Sequence, residues 1–220
     1  MKEAEVTNPY DDSVVGKVKV TTALEVEKAL AVADELHRQN RHGLSPHLRI
    51  KILKKTADIM RGRMNDLAYM IAAEGGKPLI DARIEVERAI DGVEICAAEI
   101  GQNNGKEIPM GLTPAAENKV AFTTREPIGL VLAISAFNHP LNLIVHQVGP
   151  AVAAGCPVIV KPAEDTPLSC LTFIKILHEA GLPDGWAQFV YCDAELAQKL
   201  VTDSRVRFFS FIGSARVGWT

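Results

Sequence analysis

Residues 126–164 read EPIGLVLAISAFNHPLNLIVHQVGPAVAAGCPVIVKPAE, and the order of patterns in that stretch decides the fold. Residues 129–135 form an apolar, β-branched run of the length of a buried strand, and Phe137-Asn138-His139-Pro140 breaks it. Residues 141–154 return with helical spacing and Gly155-Cys156-Pro157 closes them. Residues 157–160 are a second buried strand, ending in Lys161-Pro162-Ala163-Glu164. Two continuously apolar strands joined by an amphipathic helix make a βαβ unit and imply a parallel sheet. Ligands of open parallel sheets sit beyond the carboxyl ends of the strands. Residues 135–140 and 161–164 are therefore the first places to look for chemistry.

Downstream the alternation continues. Residues 166–180 predict a helix that starts at Thr-Pro and stops at Gly181-Leu182-Pro183. A short strand at 188–192, a short helix at 194–201 and a buried strand at 207–212 (RFFSFI) follow. Residues 213–218 (GSARVG) then read as a strand-to-helix turn opening another helix. Upstream, two short strands at 5–9 and 16–20 flank an Asp-Asp-Ser turn. Thr21-Thr22 with Glu25 has capping-box spacing, and Val26, Ala29, Leu30, Ala33 and Leu36 share one helical face. One long helix is predicted from Pro46, its buried stripe running from Leu48 to Ile71, until Gly75-Gly76-Lys77-Pro78 ends it. A third helix spans 79–100, with a face carried by Ile80, Ile84, Val86, Ile90, Val93, Ile95 and Ala97. Residues 106–108 and 120–125 predict an exposed ribbon, which is either a surface hairpin or an oligomer contact. The fold class is α/β: a doubly wound, Rossmann-like parallel sheet with an N-terminal helical region and a protruding β-ribbon.

The bulk numbers agree with one domain or slightly more. The 220 residues are 47% hydrophobic and 23% charged, with a net charge of −3. A chain of this size buries roughly 70% of its unfolded surface. The charge argues against a nucleic-acid or anionic-membrane surface, and no apolar run reaches the roughly 18 residues that a membrane span needs. The first dozen residues lack an apolar segment of the secretory kind, so a cytoplasmic location is expected. Cys96, Cys156, Cys170 and Cys192 have no C-x-x-C spacing and sit in apolar surroundings, which suits buried thiols better than disulfides. No His/Cys/Asp spacing suggests a metal site.

Three strand ends carry polar residues. Gly213 and Ser214 stand at a helix start, where N–H groups and the positive end of the helix dipole suit a phosphate; they also suit an ordinary helix cap. The common G-x-G-x-x-G fingerprint is absent. Lys161 and Glu164 follow a central strand and suit the hydroxyls of a ribose, the acidic group favouring NAD over NADP; a surface ion pair, or a charge at the start of the next helix, is the alternative. Asn138 has an amide N–H able to stabilise a developing oxyanion, or it caps the helix that follows. His139 and His146 have no partner evident in sequence, and packing or surface roles suit them best.

Taken together and in order, EPIGLVLAISAFNHPLN, GPAVAAGCPVIVKPAEDTPLS and FFSFIGSARVG resemble the aldehyde dehydrogenase superfamily. The resemblance extends back through GKEIP and NKVAFTTREPIG into the N-terminal helices. It implies that Asn138 is the oxyanion-hole asparagine and that Lys161 and Glu164 hold the adenosine ribose. It also implies that Gly213 and Ser214 meet the pyrophosphate, that Val217 packs on the adenine, and that Ile134, Ser135, Ala136 and Phe137 line the cofactor cleft. Ala136-Phe137-Asn138 stands where many members have Pro-Trp-Asn; the aromatic and the amide are kept.

By the same resemblance the activity is NAD-dependent oxidation of a small aldehyde to a carboxylic acid, and the whole enzyme is a homodimer or homotetramer. NADP is the less suited cofactor. Residues 1–105 would pack on the cofactor domain, 106–126 would be the oligomerisation ribbon, and 127–220 the NAD-binding core. The family's catalytic cysteine and general-base glutamate lie beyond the glycine-serine turn and are not matched within these residues. The 220 residues are therefore expected to supply the cofactor-binding half of the enzyme and not to oxidise aldehyde by themselves. The alternatives are a non-catalytic NAD-binding or interaction module, and an acylating aldehyde dehydrogenase, which shares this half of the fold.

Overall fold

In the computed structural model, which describes residues 2–40, 43–102 and 104–219, two antiparallel strands, β1 (Glu3–Thr7) and β2 (Val14–Lys19), lead into four helices. These are α1 (Ala23–Gln39), α2 (Pro46–Gly62), α3 (Met64–Gly75) and α4 (Leu79–Glu99). The capping box at Thr22 and Glu25 forms as its spacing implies. A small antiparallel ribbon follows, β3 (Glu107–Ile108) with β4 (Ala121–Phe122). Then strands and helices alternate: β5 (Leu130–Ile134), α5 (Asn142–Ala154), β6 (Val158–Lys161), α6 (Pro167–Glu179), β7 (Ala187–Phe189), α7 (Ala194–Val201), β8 (Val206–Phe211) and α8 (Ala215–Gly218).

The four later strands form one parallel sheet in the order β7-β6-β5-β8. Helices cover both faces, and the pleat of β5 shows how. Leu130 and Leu132 pack with Val26, Leu30 and Ala33 of α1 and Leu200 of α7. Val131 and Ala133 point the other way, into a core built with α2 to α6. After β5, β6 and β7 are laid down side by side, α7 returns the chain to the opposite flank of β5. The direction of strand addition thus reverses between β5 and β8, the point where open α/β sheets form a crevice.

Two helices of the sheet layer begin without a cap of their own. Leu141 and Thr166 precede α5 and α6, and neither side chain accepts from the helix. Buried glutamates from elsewhere do so instead. Glu85 of α4, 1% exposed, accepts the Leu141 N–H at 2.9 Å and the Asn142 N–H at 3.1 Å. Glu74 of α3, 2% exposed, accepts the Leu168 N–H at 2.7 Å, the Ser169 N–H at 2.9 Å and the Ser169 hydroxyl. Burial pushes the Glu74 carboxyl above its ordinary pKa, while these three donors pull it back. At the far end of α5, the buried guanidinium of Arg49 (α2) donates to the Ala153 carbonyl and, at 2.7 Å, to that of Leu44. Negative charge at a helix start and positive charge at its end both complement the dipole. Gly155 then closes α5 in the left-handed region, φ +78°.

Three sequence expectations need correction. The single helix predicted from Pro46 is two, broken at Arg63 (φ −113°, ψ 20°) next to Gly62, a weak helix former. The Arg63 guanidinium there meets Glu179 at 2.7 and 2.8 Å. In α4 the inward face is Ala82, Glu85, Val86, Ala89, Ile90, Val93 and Ala97, whereas Ile80 and Ile95 are 70% and 61% exposed and Ile84 is also exposed. Two residues are about 200° of helix, so Ile80 cannot share a face with Ala82. Finally, β8 is not buried: among the described residues it pairs with β5 alone, at the edge of the sheet, and Phe208 and Phe209 are exposed on its two faces. Smaller shifts occur in β1, which begins and ends two residues early, and in the ribbon, whose paired strands are two residues each.

Replacing Glu74 by alanine leaves buried donors at the start of α6 unpaired. The expected cost is about 3 kcal/mol, or a fall in Tm of roughly 6–12 °C for a chain of this length. Calorimetry on Glu74→Ala measures it, and an unchanged Tm would show that water or Thr166 replaces the cap.

Candidate functional site

The carboxyl edge of the sheet gathers the residues singled out above. Ile134 ends β5, Ser135 is buried, and Phe137 and Asn138 stand exposed in the elbow before α5. The Asn138 amide has no hydrogen-bond partner among the described residues, and it does not cap α5; Glu85 does. The capping role considered for Asn138 is therefore not what it performs. His139 does have a partner: its Nδ1 lies 3.0 Å from the Lys77 ammonium, which also pairs with Glu85.

Beside the elbow, Lys161 closes β6. It is only 7% exposed, so the ion pair considered for it forms, but with the lysine buried and not at the surface. Its ammonium donates to the Pro162 carbonyl at 3.3 Å and lies 3.8 Å from the Glu164 carboxylate, which is 60% exposed. Tyr191, just past β7, donates its hydroxyl to the Glu164 carbonyl at 3.2 Å and so braces that turn from the neighbouring strand.

On the other side of β5, Gly213 and Ser214 follow β8. Ser214 Oγ accepts the Val217 N–H at 3.4 Å as the cap of α8, which leaves its O–H available to a ligand. Gly213 is close-packed, since a Cβ there would stand 2.5 Å from the Phe211 ring. Val217 is 57% exposed. Gln147, one turn and a half into α5, ties the two strand ends together. Its Nε2 lies 3.1 Å from the Ile134 carbonyl, 2.9 Å from that of Ser210 and 3.1 Å from the Ser210 hydroxyl.

Two hollows compare instructively. One of about 260 Å³ lies against the elbow, lined by Ile71, Lys77, Asp81, Phe137, Asn138 and Pro140. The other, about 560 Å³, lies at the amino ends of β5 and β8, by His37, Pro127, Arg205 and Arg207. Size does not make it the site. Arg38 pairs with Asp34 there, and Arg205 with Glu27 and Asp203, so most of its charge is already satisfied internally. The elbow instead adjoins the crevice and keeps polar atoms without partners, namely the Asn138 amide and the buried Ser135 Oγ. That edge fits a dinucleotide: cationic, acidic and hydroxyl groups at adjoining strand ends, flanking a reversal in strand order.

Comparison with known proteins agrees. The model of the aldehyde dehydrogenase family matches residues 1–220. The chain belongs to the aldehyde dehydrogenase family. It is 39% identical to a 3-sulfolactaldehyde dehydrogenase from Priestia aryabhattai over 218 residues, covering 99% of this chain and 45% of that protein. The crystal structure of aldehyde dehydrogenase 21 from Physcomitrella patens, in complex with the reaction product succinate, matches with a TM-score of 0.94. The identity is 34%, over 99% of this chain and 45% of that one. A glyceraldehyde-3-phosphate dehydrogenase from Methanocaldococcus jannaschii, complexed with NADP, matches with a TM-score of 0.89 at 31% identity, over 98% and 47%. The chain thus spans about half the length of the curated relatives it matches.

The thiols among these residues are poorly placed to act as thiolates. All four are free. Burial pushes Cys96 and Cys192 up to about 11 and Cys170 well above the ordinary thiol value. Four supporting residues escaped the sequence reading: Lys77, Glu85, Gln147 and Tyr191. For Glu85 there was a signal, a carboxylate at i+3 from Ala82 and i−4 from Ala89 on the buried side of α4. Iodoacetamide at pH 7.5 should accordingly leave the folded chain almost unmodified at Cys96, Cys170 and Cys192 within an hour, whereas the denatured chain reacts fully. Mass spectrometry reads this, and rapid native alkylation at any of the three would contradict the burial.

Proposed function

We propose that these residues are the cofactor-binding part of an NAD-dependent enzyme that oxidises a small aldehyde to a carboxylic acid. The observation that carries the reading is the reversal of strand order between β5 and β8, with the Asn138 elbow, Lys161, Glu164 and the Gly213 turn at the same edge. Lys161 donates to a ribose hydroxyl and Glu164 accepts from one. Gly213 and the Ser214 hydroxyl hold the pyrophosphate, and exposed Val217 packs on the adenine. The backbone of Ile134, Ser135, Ala136 and Phe137 lines the cleft between them. When bound, the dinucleotide supplies the hydride acceptor.

Asn138 presents its amide N–H to the aldehyde oxygen as that oxygen gains charge. The preference for NAD rests on the exposed Glu164 carboxylate, which repels a 2′-phosphate; the family as such does not decide it, since the M. jannaschii protein is complexed with NADP. The nucleophile lies outside these residues, in keeping with the burial of Cys156, Cys170 and Cys192 and the raised pKa of half-buried Cys96. The exposed ribbon carrying Leu112, Val120 and Phe122 supports a homodimer or homotetramer for the whole enzyme.

Calorimetric titration tests the cofactor reading. The chain should bind NAD more tightly than NADP, Lys161→Ala should weaken NAD roughly tenfold or more, and Glu164→Gln should narrow the NAD/NADP ratio by roughly tenfold. Equal affinity for the two dinucleotides would remove the role of Glu164, and no binding of either would remove the cleft. With propionaldehyde and NAD, the 220 residues alone should form no NADH above a protein-free control. In the aldehyde-oxidising enzyme, Asn138→Ala should lower kcat by roughly a hundredfold to a thousandfold with NAD affinity unchanged.

A further inference from the structure

Asn138 projects from an elbow of four residues, and an amide on such a loop is useful only if the loop is held. Locally the elbow has one backbone bond, from the Leu143 N–H to the His139 carbonyl at 3.0 Å. Leu141, at the start of α5, offers no capping oxygen, and Asn138 makes no hydrogen bond of its own among the described residues. The further restraint comes from an ionic cluster centred on buried Glu85. Both oxygens of Glu85 are occupied: Oε1 accepts the Leu141 and Asn142 N–H groups, and Oε2 takes the Lys77 ammonium. Lys77 reaches His139 Nδ1 at 3.0 Å, and Glu85 Oε2 is 3.4 Å from the same atom. An ammonium has no lone pair, so in a hydrogen bond between the two Lys77 donates and His139 Nδ1 accepts. The residue after Asn138 is thus fixed by its side chain, and the residues three and four after it are fixed by their backbone N–H groups. All converge on one carboxylate, whose side chain has no exposed surface.

We propose that Glu85, acting through Lys77 and His139, is a positioning residue that sets the placement of the Asn138 amide. This deepens the proposed role of Asn138 and rests on it where catalysis is concerned; the placement itself is a property of the chain. The cluster joins α4, the Lys77 loop and the elbow, so the amide is referenced to the N-terminal helices as well as to the sheet. Glu74 serves as the comparison built into the same fold. It is equally buried and also caps a helix across elements, but it holds α6, which does not lead to Asn138.

The experiment is the side-chain amide resonance of Asn138 in the 15N-labelled 220-residue chain, assigned with Asn138→Asp. Glu85→Gln and Lys77→Met are expected to shift or broaden that pair of peaks, and Lys77→Met also to move the His139 Nδ1 nitrogen resonance. Glu74→Gln is expected to lower Tm comparably and leave the Asn138 peaks in place. Lys77→Met keeps the two backbone hydrogen bonds to Glu85, so it serves where Glu85→Gln fails to fold. Asn138 peaks that coincide with wild type in Lys77→Met, or that move as much in Glu74→Gln, overturn the proposal. A separate failure remains distinguishable. If Asn138→Ala leaves aldehyde oxidation intact, the oxyanion role is lost, whereas the resonance result still decides whether Glu85 places the amide.

Discussion

Helix α5 is held at both ends by charges that belong to other helices, and the arrangement of the edge follows from that. It begins directly after the elbow that carries Asn138 and ends at the Gly155 turn that feeds β6, the strand that delivers Lys161. Its first N–H groups bond to Glu85 of α4, and its last carbonyls meet Arg49 of α2. An uncapped helix start leaves several donors unsatisfied, and burying them costs about 1–3 kcal/mol each. The buried charges offset that cost only in one geometry. A shift of α5 along its axis would leave a carboxylate or a guanidinium unpaired in the interior, which is more costly than losing a neutral contact.

The N-terminal helices consequently do more than cover one face of the sheet. Glu74 and Glu85 lie on α3 and α4, outside the alternating β/α run, yet they start two of its helices. The close packing that permits this depends on small residues. Ala82, Ala89, Val93 and Ala97 form the inward face of α4, and Gly92 lets that helix approach Val145 of α5, since a Cβ there would stand 3.2 Å from Val145 Cγ1. A larger face would move Glu85 away from the Leu141 N–H. Packing density and electrostatic capping are therefore a single constraint here, and the elbow sits where they meet.

What was legible in the sequence follows from range. Periodicity and punctuation report on neighbours in the chain, so the strand-helix-strand order, the Thr22 capping box and the Gly155 stop were readable within a residue or two. The reversal at β5/β8 was not readable from one βαβ unit, because strand order depends on where α7 returns the chain. The partners of Glu74 and Glu85 lie 94 and 56 residues away and leave no local trace. Helix face was misjudged in α4 because isoleucine is the more hydrophobic residue while alanine is the one that fits between helices. The edge position of β8 was missed for a related reason: Phe-Phe-Ser-Phe reads as buried wherever a strand is assumed to have neighbours on both sides.

The division of the candidate site between the two kinds of contact then has a physical logic. Groups proposed to meet a ligand, namely Asn138, Glu164, Ser214 and Val217, are exposed and lightly engaged, because an interaction already satisfied within the protein has little left to offer. Groups that support them are more enclosed and more engaged: Glu85 is buried with both oxygens bonded, Lys77 is half-buried and paired with it, and buried Gln147 spends its Nε2 on two strand ends while its Oε1 has no partner among the described residues. Lys161 is intermediate: it is buried like a support, but among the described residues its ammonium has only one carbonyl and a distant carboxylate as partners. An ammonium has three donors, so a buried lysine with one good acceptor remains under-coordinated. That deficit is what a ribose hydroxyl at the end of β6 would fill, and it makes Lys161 the residue of this edge whose environment most directly asks for a ligand.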